Sequence, residues 1–511
     1  MYQYILKNKR EYGFALLFSL ICFGFMLTNH TISIDEETWV LSNSVNFGWI
    51  SQGRFGIFLL NLLFSNHSQY TPFLWDCLAI AFWNFSGIVF FYSLFQKEEP
   101  DSWKLIFMQS YYVSLPFVVG EILSFSMFNF QISLGMVFTA LAFYYSTHLF
   151  AHKKKSDAAV AVLLLLFSIS IYQAFICVYV TAVVAYFLLQ FLGEKSADLQ
   201  KILPFAVTCI AATVFYFVIN KLLMILTSSS SYLTENYIGW FSKNGILYAA
   251  FMALANIVRV SFAITIQGEH IYGGFVIRIL TISFVLFSVY TFFHSKGVKR
   301  KSGVFFWTIV FVAAPFSLYL ALGTYKTHGR MLLALPLVGA LEIYFIFQFL
   351  RKSILKRIGI LIVSFLLFLN VRNMNQLFYA SSVAYEHDTT TANEIMHDIR
   401  TLGLDYHNKP IVLIGMAPMD DVGLTTSDTV GASIFAWDDG NISRMVNFIR
   451  TEGYSVTAPS AKQIQNAYDA SAAMSKWPQN GSIKELHDTI IIYLSDPSEK
   501  WFISNHCTNT R

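Results

Sequence analysis

The sequence predicts a polytopic α-helical membrane protein with a small extramembrane α/β domain at its C-terminus. Of the 511 residues, 55% are hydrophobic and 13% are charged, whereas a soluble domain carries about 25% charged residues. The 50 Phe and 27 Tyr residues are typical of lipid-facing helices with aromatic residues at both interfaces. After Val371 the composition becomes polar, and helical and strand patterns follow each other, which indicates a second domain.

Eleven apolar stretches approach the length of about 20 residues that a membrane-spanning helix needs. They lie near residues 12–29, 71–95, 103–120, 131–150, 157–173, 174–192, 202–226, 272–293, 304–323, 329–350 and 357–371. The first of them lacks a small-residue cleavage site, so we expect it to be a retained helix and not a signal peptide. With eleven crossings, the basic N-terminus and the basic loops all fall on one side, which the positive-inside rule identifies as the cytoplasm.

Two further apolar stretches are expected to lie at the outer interface without crossing. Residues 246–266 contain Asn256 and Arg259, and counting them as a span would place the basic loop around Lys299 outside. Residues 55–64 are too short to cross.

Residues 1–371 are therefore predicted to form a transmembrane catalytic domain and residues 372–511 an extracytoplasmic α/β domain. In the latter, KPIVLIGM and TIIIYLSD have the pattern of buried strands, and residues 441–452 and 460–476 have the pattern of helices. The crossing count places this domain on the same side as the loop that follows the first helix.

That loop contains three consecutive acids, Asp35, Glu36 and Glu37. Carboxylates beside a bilayer are costly unless they face water or a polar substrate. A carboxylate held there can act as a general base toward a hydroxyl, which typically contributes ~10²–10⁴ in rate. The alternative is a solvated loop that only marks the membrane boundary. The Gly53-Arg54 pair that follows favours the catalytic interpretation, with Asp35 or Glu36 as the base and Glu37 as a neighbouring substrate contact.

Four cations lie on the predicted outer side and are candidate phosphate contacts, namely Arg54, Arg259, Lys326 and Arg330. The arginine guanidinium is a planar fork that matches phosphate oxygens. Positive charge on the outer side runs against the usual bias, so for Arg330 or Lys326 we prefer phosphate binding to simple snorkelling.

Glu121 and the Tyr172-Gln173 pair are the remaining candidate substrate contacts. Glu121 ends the third predicted span, where it either contacts substrate or orients a cation, or is an ordinary helix-end acid. Gln173 lies between two short apolar stretches and needs hydrogen-bond partners there. It either contacts a sugar hydroxyl or stabilises the tight turn.

Several classes of function find no support in the sequence. The net charge of +4 is small and spread over short loops, which argues against nucleic acid as a partner. The five cysteines form no disulfide framework or metal pattern, and the sequence contains no P-loop, GxSxG, HExxH or Rossmann motif. We expect no cofactor, and we expect no metal ion although the three acids and Glu121 could hold one.

The order of these short motifs resembles that of the Gtr type II glucosyltransferases, the serotype-converting O-antigen enzymes of the GT-C class of membrane glycosyltransferases. The residues that carry the resemblance are Asp35 and Glu36, Gly53-Arg54-Phe55, Tyr172-Gln173, and Gly329-Arg330 before an apolar helix. The resemblance extends to about Asp388. Beyond that point, the chain matches only in having a non-membrane tail.

The resemblance implies an inverting hexosyltransferase in the bacterial inner membrane, with the C-terminal domain in the periplasm. It further implies an undecaprenyl-phosphate (polyprenyl-phosphate) glucose donor and a hydroxyl of O-antigen or another surface glycan as the acceptor. A flippase and a cytoplasmic enzyme that makes the donor would complete the system. The acid of the first loop in the family corresponds to Asp35 or Glu36, and the resemblance does not decide between them.

Two other functions compete with this interpretation. A transporter or flippase of lipid-linked sugars would carry ionisable residues near the middle of the bilayer, and Arg278 is the main residue of that kind. A glycan polymerase or ligase would use a lipid pyrophosphate at the same outer loops.

Overall fold

The computed structural model describes residues 1–41, 47–64, 70–96, 99–152, 154–192, 201–228, 240, 245–264, 271–323, 328–350, 352–420, 423–424, 426 and 429–510, without the side chains of residues 150–152 and 299. In these ranges the α-helices are α1 (Tyr2–Lys7), α2 (Lys9–Thr28), α3 (Glu36–Trp39), α4 (Gly48–Ser51), α5 (Phe55–Phe64), α6 (Pro72–Leu94), α7 (Ser102–Ser114), α8 (Glu121–Leu123), α9 (Asn129–His152), α10 (Lys155–Ile171), α11 (Phe175–Leu192), α12 (Ile202–Leu226), α13 (Ile246–Ser261), α14 (Gly274–His294), α15 (Val298–Ala313), α16 (Ser317–Leu322), α17 (Leu335–Phe349), α18 (Ser353–Thr401), α19 (Ile442–Thr451), α20 (Ala461–Ala470) and α21 (Glu499–Ser504). The strands are β1 (Ile411–Ile414), β2 (Ile483–Leu486) and β3 (Thr489–Tyr493).

The chain divides into two compact units. The first unit consists of Met1–Leu27, Val45–Asn66 and Thr71–Asn375. The second unit consists of Thr28–Ser44, His67–Tyr70 and Gln376–Arg511. The loop with the three acids therefore belongs to the same unit as the C-terminal part of the chain.

The chain is mostly helical, and its long apolar helices are compatible with a polytopic membrane protein. Among the described residues, eight helical stretches are long and apolar enough to cross a membrane, namely α2, α6, α9, α11, α12, α14, the α15–α16 stretch and α18. The bent pair α7–α8 makes nine. The other two predicted crossings correspond to the shorter helices α10, with 17 residues, and α17, with 15 residues. Eleven crossings therefore remain a prediction.

Helix α12 illustrates why these helices need lipid. Leu203, Val207, Ile210 and Val214 recur at helical spacing along it, and all four side chains are exposed on the protein surface. An apolar face of this length is unfavourable in water and is stable against hydrocarbon.

The third predicted crossing, at residues 103–120, is not one straight helix. Pro116 disfavours helical backbone at Leu115, which is extended and ends α7. A π-helical turn at Pro116–Gly120 follows, and the chain continues into α8 after a bend of 41°. The break places Glu121 at the start of α8.

Residues 353–401 form a single helix of 49 residues, α18. The last predicted crossing and the polar stretch after Val371 are therefore parts of the same helix. The sequence contains no proline in this range and no glycine after Gly359, so nothing in it ends the helix where the composition changes.

Arg278, the charge that favoured a transporter, has a local structural role. Its Nε and Nη2 atoms donate hydrogen bonds to the carbonyl oxygens of Phe262 and Ala263, at 2.7 and 2.6 Å. These carbonyls follow the last residue of α13 and lack partners within the helix. The guanidinium therefore stabilises a helix C-terminus.

The second unit is built around a three-stranded sheet in the order β1–β3–β2. β1 pairs in parallel with β3, with Ile411 opposite Ile490, and β2 pairs antiparallel to β3. Every residue of β1 and β3 is buried, as the two continuous apolar runs predicted. β2 was not predicted, because Lys484 and Glu485 are exposed on this edge strand and interrupt its apolar pattern.

Helices complete the core of the second unit. Ala392, Ile395, Met396 and Ile399 of α18 recur at helical spacing and are fully buried in this core. The predicted helices at residues 441–452 and 460–476 correspond to α19 and α20, and the second of them ends earlier than predicted. Ile34 is part of the same core, so it anchors the residues that precede the three acids.

Candidate functional site

Glu36 and Glu37 begin a single helical turn, α3, in what we call the acidic segment (residues 28–41). Asp35 precedes the turn with a left-handed backbone conformation, φ 77°. This conformation is uncommon for a residue with a side chain, although Asp adopts it more readily than most. The Glu36 carboxylate accepts a hydrogen bond of 2.8 Å from the backbone N–H of Ser33, and its side chain is fully buried. Glu36 therefore holds the turn closed.

Arg444, in the first turn of α19, binds the acidic segment. Its Nη2 atom donates to Asp35 Oδ1 and its Nη1 atom to Glu37 Oε1, each at 2.8 Å. Its Nε atom donates to Asp438 Oδ2, also at 2.8 Å. The planar guanidinium carries enough N–H groups to bind several carboxylates in one plane. We refer to Arg444, Asp35, Glu37 and Asp438 as the arginine clamp.

The carboxylates of the clamp differ in their access to solvent. The Asp35 side chain is 57% exposed, and that of Glu37 is 0% exposed. Burial raises the pKa of the Glu37 carboxyl, and Arg444 offsets part of that rise. Burial alone lowers the pKa of the Arg444 guanidinium, but the neighbouring carboxylates of Asp35 and Glu37 outweigh this effect, and the net shift is upward. Arg444 therefore stays charged. Of the three consecutive acids, only Asp35 combines a fixed position with access for a substrate.

A second constellation, in the first unit, surrounds Arg54. The Gln173 side-chain amide donates to the carbonyl oxygens of Gln52 and Gly53, both at 3.0 Å. The Tyr216 hydroxyl donates to the same Gly53 oxygen at 2.9 Å. Gly53 has φ 69°, a conformation that favours glycine. Gln173 therefore stabilises the turn that carries Arg54.

The Arg54 guanidinium lies over aromatic rings. Its Cζ atom is 4.7 Å from the ring centroid of Tyr172 and 5.7 Å from that of Trp49. Such cation–π contacts hold a guanidinium in place without using its N–H groups. The Nε atom of Arg54 is buried and has no hydrogen-bond partner. It is a donor that an anionic ligand can satisfy.

A third constellation, also in the first unit, joins Glu121 to Arg330. Arg330 Nη1 donates to Glu121 Oε1 at 2.5 Å, and the backbone N–H of Arg330 donates to Glu121 Oε2 at 3.1 Å. The Glu121 side chain is 5% exposed and that of Arg330 is 25% exposed. A Cβ atom on Gly329 would overlap the carbonyl oxygen of Phe117, so only glycine allows this approach.

The described site residues contact partners within their own units. In the second unit, Asp35 and Glu37 both bind Arg444. In the first unit, Tyr172 and Gln173 support Arg54, and Glu121 pairs with Arg330. Lys326 lies outside the described residues. Within the described ranges, no three or more His, Cys, Asp or Glu side chains are arranged to bind a metal ion.

The sequence did not reveal Arg444 or Asp438. Arg444 is separated from Asp35 by 409 residues, and nothing in its own surroundings links it to the acidic segment. The roles of Tyr216, which bonds the Gly53 carbonyl oxygen, and of Trp49, which lies under Arg54, were also missed, because an aromatic residue in an apolar stretch is usually a packing residue.

Comparison with known proteins supports the resemblance seen in the sequence. The family model described as "Glucosyl transferase GtrII" matches residues 24–347, which is more than half of the chain. No curated protein and no solved structure matches it. The match includes the acidic segment, the turn of Arg54, the Tyr172-Gln173 pair and the Glu121–Arg330 pair. The chain therefore belongs to the GtrII glucosyl transferase family, whose activity is glucosyl transfer.

Proposed function

We propose that the protein transfers glucose from a polyprenyl-phosphate donor to a hydroxyl of a surface glycan such as O-antigen, with inversion, on the outer face of the bacterial inner membrane. The observation that carries the proposal is Asp35, an accessible carboxylate held by the Arg444 guanidinium in a chain of the GtrII family. The eleven crossings and the extracytoplasmic position of residues 372–511 belong to the same proposal.

Asp35 is the proposed general base, and Glu36 is proposed to position it. In the reaction, the acceptor oxygen forms a bond to the anomeric carbon while its proton passes to the Asp35 carboxylate. The bond between the anomeric carbon and the phosphate oxygen breaks, and polyprenyl phosphate leaves with the electron pair. Attack opposite to the leaving group inverts the anomeric centre. The fixed carboxylate suits this role, since a base must lie within hydrogen-bond reach of the proton that it takes.

Arg54 is the proposed contact to the donor phosphate. Its guanidinium is supported by two aromatic rings, and its buried Nε has no hydrogen-bond partner. Such a donor can stabilise the charge that develops on the leaving phosphate. The Glu121–Arg330 pair is proposed to shape the sugar site, with Lys326 as a further cation. Glu37 is proposed to support Asp35 through their shared guanidinium.

The test compares two aspartates that share the same guanidinium. Asp35 and Asp438 both bind Arg444 at 2.8 Å and have side chains that are 57% and 45% exposed. In purified protein supplied with polyprenyl-phosphate glucose and acceptor glycan, Asp35→Asn should reduce turnover by ~10²–10⁴. Asp438→Asn should have only a small effect.

Three results would overturn the proposal. Equal losses in both variants would mean that the clamp is only structural and that Asp35 is not the base. Movement of lipid-linked glucose across vesicles without formation of a glycosidic bond would identify a flippase. Extension of the glycan by whole repeat units would identify a polymerase.

A further inference from the structure

A groove in the second unit combines aromatic, acidic and amide side chains. It has a volume of about 820 Å³, within the range of ~300–1,000 Å³ that small-molecule sites occupy. One wall is a polar face of α18, and the other is formed by residues that follow α19 and α20. The residues that matter for its chemistry are Asn393, Glu394, His397, Asp398, Tyr454 and Trp477.

The polar wall follows from the periodicity of α18. Asn393, Glu394 and His397 are exposed and recur at helical spacing, while the core-facing residues of the same helix occupy the positions between them. The groove therefore presents amide, carboxylate and imidazole groups along one continuous helix surface.

Both aromatic side chains are fixed by hydrogen bonds to this wall. The Trp477 indole N–H donates to Asp398 Oδ2 at 3.0 Å, and the Tyr454 hydroxyl donates to Asn393 Oδ1 at 2.7 Å. The backbone N–H of Trp477 also donates to the carbonyl oxygen of Tyr493, at 2.8 Å. Both rings pack partly against the core of the unit. A ligand would meet side chains that are already positioned, which lowers the entropic cost of binding.

This combination of groups matches a sugar better than other ligands. A sugar ring has apolar C–H faces that pack on aromatic rings and hydroxyls that both donate and accept hydrogen bonds. Glu394 and Asp398 with Arg400, whose guanidinium lies 5.6 Å from the centroid of the Tyr454 ring, give a charge of about −1, so the groove does not favour phosphate or nucleic acid. Its polar wall also excludes a purely apolar ligand.

We propose that this groove binds an uncharged oligosaccharide segment of the acceptor glycan, and this inference rests on the proposed function. From Arg444 to its end at Thr451, α19 rises about 10 Å at ~1.5 Å per residue, and Tyr454 follows three residues later, so the groove lies near the end of α19 away from the arginine clamp. An oligosaccharide of a few units can span that distance. The groove would then hold the glycan while a hydroxyl further along the chain is glucosylated.

The first test measures binding without turnover. Full-length protein in nanodiscs is applied to an array of neutral and acidic bacterial oligosaccharides, and bound compounds are titrated by calorimetry. We expect neutral oligosaccharides to bind. Glu394→Ala and His397→Ala, both at exposed positions that should not disturb folding, should each weaken binding roughly fivefold. Trp477→Ala should weaken it about tenfold. Lys484→Ala, on the exposed face of β2, is the matched control and should bind like the wild type.

The second test separates the groove from the transfer reaction. With the same acceptor, Glu394→Ala and His397→Ala should raise KM for the acceptor and leave kcat near the wild-type value. Asp35→Asn should lower kcat and still bind the oligosaccharide. The groove assignment is overturned if the wild type binds no neutral oligosaccharide, or if Glu394→Ala and His397→Ala bind and react like the Lys484→Ala control. If Asp35→Asn keeps the wild-type turnover while the groove still binds oligosaccharide, only the proposed catalytic role of Asp35 is overturned.

Discussion

Replacing Arg444 by methionine is the most direct test of the arginine clamp. The change removes the guanidinium and leaves Glu37 as a buried carboxylate without its cation, since that side chain is 0% exposed. Breaking a buried ion pair by removing one partner costs about 3–5 kcal/mol. Arg444 itself is 22% exposed, so solvent reduces the effect and we expect a loss near the lower end, about 3 kcal/mol. Asp35 and Asp438 contribute little to this figure because both are half exposed.

The assay is the thermal unfolding of purified protein in nanodiscs, with the double variant Glu37→Gln/Arg444→Met beside the single variant. Removing the carboxylate as well removes the unpaired charge, so the double variant should recover most of the lost stability. Lys476→Met is the control. It breaks an ion pair with Asp496 in which the side chains are 52% and 71% exposed, and such a pair contributes about 1 kcal/mol or less.

The pH dependence has a defined sign. Burial already raises the pKa of Glu37, and loss of Arg444 removes an influence that lowers it. A carboxyl whose pKa is raised by folding stabilises the folded state at low pH, and this stabilisation is lost as the pH rises through the folded-state pKa. The deficit of Arg444→Met relative to the wild type should therefore shrink as the pH is lowered. Equal unfolding midpoints for the single and double variants, or a deficit that grows as the pH falls, would refute this account of Glu37.

Three further predictions concern the first unit. Gly329→Ala should destabilise the protein by roughly 1–3 kcal/mol or more, because the new Cβ overlaps the carbonyl oxygen of Phe117; Gly24→Ala, with open space around it, is the control for thermal unfolding. Arg54→Lys should raise KM for the lipid-linked donor in transfer assays, since an ammonium lacks the planar fork and stacks less well on aromatic rings; an unchanged KM would exclude Arg54 as the phosphate contact. Gln173→Leu removes the side-chain amide whose hydrogen bonds hold the turn before Arg54, and it should weaken binding of the lipid-linked sugar without abolishing kcat. Loss of kcat alone would instead favour a direct role of Gln173 in catalysis.

The sequence predicted those parts of the fold that depend on composition along the chain. Apolar runs of sufficient length identified the eight long helices, because hydrocarbon requires about 20 apolar residues per crossing. β1 and β3 were predictable because both are buried along their whole length. Pro116 itself signals a break in the helix, but the apolar pattern of residues 103–120 favoured the prediction of one continuous crossing. The polar edge strand β2 had no apolar pattern by which to predict it, because half of its residues face away from the core.

The candidate site was predictable only in part, and the reason is the distance along the chain between its residues. The acids of the acidic segment stand out beside an apolar run, and Gly329-Arg330 stands out before another. Arg444 belongs to an amphipathic helix in which a charged residue is ordinary. A partner so far along the chain is determined by the tertiary packing of the second unit. Periodicity and propensity carry no information about such a contact.

Arg444 binds three carboxylates at once, and this affects how the acidic segment would behave during a catalytic cycle. In the proposed reaction Asp35 becomes neutral each time it accepts a proton, and a residue anchored by a single ion pair would then lose its anchor. Here the guanidinium keeps its bonds to Glu37 and Asp438 throughout. Arg444 therefore stays in place while Asp35 is protonated, and it attracts the carboxylate back once the proton leaves. The redundancy of the three carboxylates would let the base change its charge in every turnover without releasing the segment that carries it.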